Sequence, residues 1–500
     1  MFSERVCDIF QIFSPEPSFG VDFLCAWGYN RGDERKGKRT MKSSVNMIEG
    51  PFFKKILLYT FPIMLTGILQ LAFNAADLII VGQFAEDGTL SIAAVSGTGA
   101  LTNLIVNLFM GLSVGSGVTV AQALGAGHDK EVHRIIHTAI PAAIISGLFL
   151  TVVGVSLSRT FLEWMGTPEN VISLSALYMQ IYFGGILGPL VYNFGAAILR
   201  ACGDTKSPLF FLSAAGVINV VLNTLFVAVF HMDVAGVALA TVISQIFAAI
   251  MVLITLAKRK DACKLEWRKL KIYPKPLLKI IRIGIPSGIQ GAMFSISNVI
   301  LQSSINSFGS AVMSGNGAAA NLEGFLYTAI NSFHQSALNF TGQNMGARRY
   351  DNMKKIVFIC LGCAVFIGSL LGTVLYIFGE PLLNIYIPDA PLEISMGLVR
   401  IQYVVLPYFT IALMDIMSGV LRGMGASISP MLISVLGVCG IRIGWIFTIF
   451  ADPRFHTLEM LYIVYPISWL VTAVAEFVAF TIILKNQKRR LAAHMAQSTP

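Results

Sequence analysis

Charge is scarce in this chain: only 13% of its 500 residues are Asp, Glu, Lys or Arg, about half the roughly 25% of an average soluble domain. An ordinary water-facing surface is therefore excluded. Catalytic signatures are missing too. No Gly-x-x-x-x-Gly-Lys-Ser/Thr loop, Gly-x-Ser-x-Gly elbow or His-Glu-x-x-His pair occurs, so ATP binding and the common hydrolytic centres have no residues to rest on. No enzyme and no cofactor are expected, and any transport must draw on an ion gradient or a partner. Strand alternation is absent, which excludes a β-barrel. The seven cysteines, Cys7, Cys25, Cys202, Cys263, Cys360, Cys363 and Cys439, form no metal-ligand pattern. Cys360 and Cys363 stand one turn apart in an apolar run without Cys/His partners, and read as packing residues. No apolar core follows a basic start in the first 40 residues, so a signal peptide is not expected. Pro15, Pro17, Gly20 and the charged stretch Arg31 to Arg39 make 1–50 a disordered or extended N-terminus, or an extension upstream of Met41 or Met47.

What the chain does have is apolar length. Hydrophobic residues make up 55% of it, and the mean hydropathy is +0.71. A dozen runs reach about 20 residues, enough to cross roughly 30 Å of hydrocarbon as helices. They lie at about 54–84, 92–124, 132–157, 171–199, 207–230, 234–257, 277–306, 315–343, 353–378, 393–421, 429–450 and 458–484. The fold class is an all-α membrane protein with twelve transmembrane helices.

Loop charges orient them. One set of connections holds Lys130, Arg134, Arg200, Lys206, Lys258 through Lys279, Arg348, Arg349, Lys354, Lys355, Arg422 and the tail from Lys485 to Arg490. The other set holds Glu86, Asp87, Glu163, Glu169, Asp233, Glu380, Asp389 and Asp452, with Arg159 and Arg454 as its basic residues. The positive-inside rule then puts both termini in the cytoplasm. It also accounts for the net charge of +9 without nucleic acid, since the basic residues are scattered over short loops.

The chain is doubled. Leu199-Arg200-Ala-Cys-Gly203-Asp-Thr-Lys-Ser-Pro208 returns as Leu421-Arg422-Gly-Met-Gly425-Ala-Ser-Ile-Ser-Pro430. Ala121-Gln122-Ala-Leu-Gly125-Ala126 returns as Gly342-Gln343-Asn-Met-Gly346-Ala347, and Pro62 with Asn74 returns as Pro286 with Asn298. The common shift of roughly 220 residues marks a repeated unit, the usual build of a transporter with a central site. We expect a six-helix lobe at 51–257, a cytoplasmic linker at 258–276, a second lobe at 277–484 and a tail at 485–500. Six is even, so both copies start from one face and are related by an axis along the membrane normal.

Function must rest on polar groups at membrane depth, where an ionised side chain costs roughly 2.5–3.5 kcal/mol at a helix centre. Asp77 lies in the outer half of the first helix with Asn74 three residues earlier, on the same face. Uptake of a proton from one side and release to the other is the coupling chemistry such a group can serve; a carboxyl bonded to backbone at a helix crossing is the plain alternative. Asn219 and Asn223, one turn apart in the fifth helix, can hold a carboxyl or coordinate a cation, or simply join helices. In the eighth helix Glu323, Tyr327, Asn331, Gln335, Asn339 and Gln343 recur every fourth residue, drifting about 40° per step. So long a polar stripe is expected to line a cavity; His334 beside it reads as a packing residue. Asp415, Arg442 and Glu476 fall in the inner part of the membrane and are expected to neutralise one another. Arg400, at the repeat position of Tyr178, answers either Glu323 or Glu393.

This ordered set resembles the multidrug and toxin extrusion (MATE) family. It comprises a proline-led first helix with Asn-x-x-Asp-x-x-x-x-Gly, Gln-x-x-Gly-Ala after helix two, and Leu-Arg-x-x-Gly-Asp-x-x-x-Pro after helix four. The likeness covers about 50–485. Asn321-Leu-Glu323-Gly and Cys439-Gly-Ile-Arg442-Ile-Gly-Trp445 are similar to the branch common in fermentative Gram-positive bacteria. The resemblance implies two six-helix lobes around a cleft, and export of cationic or amphipathic compounds in exchange for H+ or Na+. It makes Asp77 the coupling carboxylate, Asn219 its helix-five partner and Tyr178 a tyrosine near that site. Beside it, the residue pattern leads us to expect Asn74 and Asn223 at the ion site and Glu323, Tyr327, Asn331, His334, Gln335 and Asp415 at the substrate cleft. Three departures matter. Many members carry an acid where this chain has Asn223, some a glutamate where Phe294 stands, and others an aspartate about four residues before Asp415. One titratable group thus remains in the first-lobe site, with Glu323 able to supply a second acid.

The expectation is a monomer in the lipid bilayer of the cell membrane, working on small organic molecules by rocking of its lobes. The alternative is a flippase for a lipid-linked precursor; the acidic and amide groups expected in the cavity argue against the pyrophosphate such a substrate carries.

Overall fold

The computed structural model describes residues 45–85, 88–388 and 390–498. The reading of 1–50 falls mostly outside them, as do Glu86, Asp87 and Asp389. The helices are α1 Phe52–Phe84, α2 Gly88–Gly125, α3 Asp129–Trp164, α4 Glu169–Gly184, α5 Leu187–Ala201, α6 Lys206–Asn223 and α7 Asp233–Lys258 in the first half. The second half has α8 Pro274–Asn306, α9 Ser310–Gly346, α10 Tyr350–Ile377, α11 Gly379–Tyr386, α12 Pro391–Arg400, α13 Phe409–Gly423, α14 Ile428–Ser434, α15 Ile441–Phe447, α16 Leu458–Tyr462 and α17 Val464–Ser498. No strand occurs among the described residues.

Among the described residues eight helical stretches are long and apolar enough to cross a membrane, and two bent pairs bring the number to ten. α8 and α9 are as long, at 33 and 37 residues, but carry too many Ser, Asn and Gln to pass the same test. Together these make the twelve-helix, two-lobed architecture. Apolar side chains such as Phe149, Val152, Phe366, Leu436 and Phe447 are exposed on the outside of the bundle, as lipid-facing residues should be.

The doubling is visible in the backbone. Both bent pairs, α4 with α5 and α12 with α13, turn by 47° at equivalent places. The repeated Leu-Arg-x-x-Gly segment is a helix terminus. Gly203 (φ +85) and Gly425 (φ +84) sit in the left-handed region. Behind them Asp204 N donates to Leu199 O at 2.9 Å and Ala426 N to Leu421 O at 3.0 Å, which satisfies the last carbonyls of each helix. Glycine is there because a Cβ would strain that φ.

The 258–276 segment is held rather than loose. Glu266 N donates to His137 Nε2 at 3.0 Å, Arg259 pairs with Asp261 at 2.5 Å, and Cys263 is joined to Cys202 by a disulfide. Cys360 and Cys439 are buried free thiols and Cys363 is half-buried.

Candidate functional site

Three polar regions lie at depth. The first is in the first lobe, where α1 and α6 touch at Phe73 and Gly216; a methyl group added at Gly216 would strike the Phe73 ring. One turn on along α1 and one to two turns on along α6, this contact brings Asp77 to the α6 amides. Asn223 Nδ2 donates to Asp77 Oδ1, and Asn219 Nδ2 donates to Thr241 Oγ1 of α7 at 3.3 Å. Asn219 is 5% and Asn223 0% exposed, and the amide oxygen of each is buried without a hydrogen-bond partner. Such orphaned oxygens are costly unless something binds them. Tyr178 of α4 packs in the same small apolar cluster as Ile80 and Val81 and stacks on Tyr182. Asn74 is exposed and makes no hydrogen bond to Asp77. Three residues turn the helix by about 300°, and the tight α1–α6 contact orients α1 for Asp77 rather than for Asn74. Thr241 was not anticipated, since a lone threonine in an apolar helix carries no signal.

The second region is in the second lobe. Arg400 donates through Nε at 3.1 Å and Nη2 at 2.6 Å to Glu323 Oε2, and through Nη1 to Asn316 Oδ1 at 2.8 Å. Tyr408 donates to Glu323 Oε1 at 3.2 Å and Tyr462 to Asn316 Oδ1 at 3.0 Å. Of the two acids open to Arg400, Glu323 is the partner. Arg442 donates to Ser468 Oγ and Asn298 Oδ1 and lies 4.3 Å from the Tyr465 ring centroid. The expected mutual pairing of Asp415, Arg442 and Glu476 is therefore wrong. Asp415 is taken by His334, whose Nδ1 lies 2.7 Å from its carbonyl and 3.1 Å from its carboxylate; Glu476 accepts from Ser434 at 3.0 Å. Each acid found a nearer neutral or aromatic-lobe partner than Arg442, which aromatic rings surround instead.

Asn223 and Arg400 each adjoin a π-helical turn, at Thr224–Val229 and Ile401–Val405, and Arg442 lies two residues past a third, Val435–Gly440. Such turns cluster at functional positions because they rotate a side chain out of the regular helical register. The Glu323–Arg400 pair is largely sheltered, with Arg400 buried and Glu323 partly so, and is fully bonded. Glu323→Leu should lower stability by about 3–5 kcal/mol by stranding the guanidinium, and adding Arg400→Met should restore most of the loss. Melting temperatures in one detergent check both; equal melting of single and double variants would count against the pair.

The third region is a cavity of about 440 Å³ between the halves. α1 contributes Thr66 and Gln70, α2 Asn107, α5 Asn193 and Arg200, α8 Ser287, α9 Tyr327, Asn331, Gln335 and Asn339, and α13 Arg422. The α9 stripe thus does line a cavity in its middle. Glu323, His334 and Asp415 do not, since Arg400 and one another hold them inside the second lobe. The expected acidic lining is corrected as well: among the described residues no carboxylate lines this cavity, and its charged residues are Arg200 and Arg422.

Below the cavity, at the end of the bundle that carries the basic loops, the halves exchange hydrogen bonds. Gln122 Nε2 donates to Gly423 O at 2.8 Å, and Gln343 Nε2 donates to Ala201 O at 2.7 Å. These are equivalent residues of the two copies, each glutamine serving the other copy's Leu-Arg segment. Gly125 lies against the Gln343 carbonyl and Gly346 against the Gln122 carbonyl, too close for any Cβ. Lys279 pairs with Glu131 across the same end at 2.5 Å. In the sequence these glutamines marked only the repeat; which residue they bond depends on the pseudo-two-fold.

Comparison with known proteins agrees with this geometry. A family model described as MatE matches residues 62–225 and 286–448, one match in each lobe, each starting at a proline inside its first helix. The probable multidrug resistance protein YoeA of Bacillus subtilis is 26% identical over 446 residues, 87% of this chain and 95% of that protein. The probable multidrug resistance protein YpnP of the same organism is 29% identical over 396 residues, 79% of this chain and 87% of the relative. An outward-facing multidrug resistance MATE family transporter of the MOP superfamily shares the fold, with a TM-score of 0.84 at 20% identity, over 90% of this chain and all of that one. With both lobes matched in order, the chain belongs to the MatE family.

Proposed function

We propose that this protein is a secondary active multidrug efflux transporter that exports small amphipathic organic compounds from the cell in exchange for H+ or Na+. The observation that carries the reading is the one-sided ion site. Asp77, the two orphaned amide oxygens and Thr241 form an oxygen-rich cluster suited to a proton or a hard cation, whereas the repeat position holds a buried leucine, Leu301. The lobes, taken as 51–257 and 277–484, rock about the cavity, with the linker and both termini on the cytoplasmic side of the cell membrane and the monomer as the working unit. Asn74, exposed on α1, stands one turn inward of this cluster; Tyr178 packs beside it from α4. Glu323 supports the second lobe's shape, and the α9 amides meet substrate.

Dye-loaded proteoliposomes test the reading. Efflux should follow an imposed inward H+ or Na+ gradient and stop when an ionophore for the driving ion collapses it. Equal efflux with and without either gradient would overturn it. A flippase for a lipid-linked precursor gains one argument from Arg200 and Arg422, since a pyrophosphate needs cations. Failure to move soluble dyes while a fluorescent lipid changes leaflet would favour it.

A further inference from the structure

Arg200 and Arg422 are the repeated arginines of the two Leu-Arg-x-x-Gly segments, and both line the central cavity. Their surroundings differ. Arg422 donates to Gln290 Oε1 at 2.8 Å, and Gln290 passes through Ser434 at 2.9 Å to Glu476, so a buried acid lies along its network. Arg422 also keeps Nε buried without a partner. Arg200 has no such support. Where the second half has Asp415 the first has Asn193, which turns its amide to Pro189 O at 2.7 Å. The nearby Asp204 is engaged by Ser207 at 2.7 Å and faces Arg259 at 3.9 Å. Among the described residues the Arg200 guanidinium has no hydrogen bond and no ion pair. A last-turn arginine also answers the negative end of its helix, which explains its place in the sequence but not a half-buried, unpaired guanidinium facing a cavity.

A guanidinium presents several donors in a fixed fork, and the group that matches it is an oxyanion. We propose that the cavity binds its substrate by an oxyanion, carboxylate or phosphate, held at Arg200 with Arg422 opposite, so that anionic and zwitterionic amphiphiles are taken in preference to purely cationic ones. This deepens the export reading by naming the substrate class. The amides of Gln70, Asn107 and Asn331 then meet the neutral remainder of the molecule. The oxyanion lies directly above the exchanged glutamine bonds, because Ala201 and Gly423, which accept them, each follow one of the two arginines.

The test uses two dyes that differ in one group. Rhodamine 110 carries a free carboxylate; rhodamine 123 is its methyl ester. Equilibrium binding of each to the full chain in neutral-lipid nanodiscs, without any ion gradient, should favour the free acid by about tenfold, the worth of one charge-assisted hydrogen bond or more. Arg200→Gln should erase the preference and Arg200→Lys should keep part of it. Arg422→Gln, which also breaks the Gln290 bond, is the supporting variant. Competition by inorganic phosphate assigns a water-borne oxyanion, and competition by phosphatidylglycerol in the disc assigns a lipid headgroup; each upholds the proposal. Equal or tighter binding of the ester, or an unchanged preference in Arg200→Gln, overturns it. Because no gradient is used, that failure would leave gradient-driven efflux standing, and loss of efflux with the preference intact would sink the export reading alone.

Discussion

Asp77→Asn should leave the protein folded and dye-binding yet reduce gradient-driven efflux by about 100-fold, the upper range of a coupling free energy of 1–3 kcal/mol. The expectation follows from what the side chain touches. Asn223 donates to Asp77 Oδ1, and an asparagine at 77 offers a carbonyl oxygen in the same place, so the helix contact around Phe73 and Gly216 survives. What disappears is the one group of the cluster able to change charge. The remaining oxygens, from Asn219, Asn223 and Thr241, are neutral and cannot hold a cation against the cost of dehydrating it. Circular dichroism and equilibrium dye binding should match the parent. Parental efflux from the variant would remove Asp77 from the coupling role.

Gly125→Val and Gly346→Val carry the second large effect. Each glycine meets a backbone carbonyl of the other copy, Gln343 O or Gln122 O, and backbone cannot rotate away as a side chain can. Overpacking of this kind costs roughly 1–3 kcal/mol or more, which shifts a two-state balance by about fivefold to 150-fold. The variants should depopulate the arrangement in which the basic end is shut. Spin labels at Lys130 and Lys354, both exposed beyond that end, should report a longer distance distribution than in the parent. Gln122→Ala should act in the same direction but less, since it removes one hydrogen bond and leaves the glycine contact. An unchanged distribution in both valine variants would mean that the contact does not set the balance.

Much of this architecture was open to reading because membrane helices obey coarse rules. Hydrophobic length gave the spans, and the shift of roughly 220 residues gave the halves. The bends in α4–α5 and α12–α13 could have been expected from Gly184-Gly185 and Pro407, but not their equal angle. The site was legible in kind more than in detail. Asp77, Asn219 and Asn223 stand out in the sequence because each breaks an apolar helix, but that Asn223 rather than Asn219 bonds Asp77 is visible only in the structure. Asn74 was misplaced because same-face reasoning ignores which residue the neighbouring helix grips. The cavity's charge was misread because Arg200 and Arg422, counted as loop charges for orientation, turn inward, whereas the acids thought to face substrate satisfy partners inside the second lobe. Partner choice among buried polar groups depends on distances of a few ångströms between helices, which no spacing along one helix encodes.

The replacement of Tyr178 by Arg400 at the equivalent place in the second copy has a consequence for energetics. Glu323 there holds a cation that is part of the polypeptide, so this carboxylate cannot discharge one ion and load another. On the export reading, a turnover then spends the force on a single exchangeable ion, held in the first lobe. A driving force of 100 mV supplies about 2.3 kcal/mol per charge. For a substrate without net charge, that fixes a ceiling of roughly 50-fold on the concentration ratio the protein can sustain. A copy with two exchangeable sites would square that ratio; a tethered guanidinium keeps it modest and makes the stoichiometry constant.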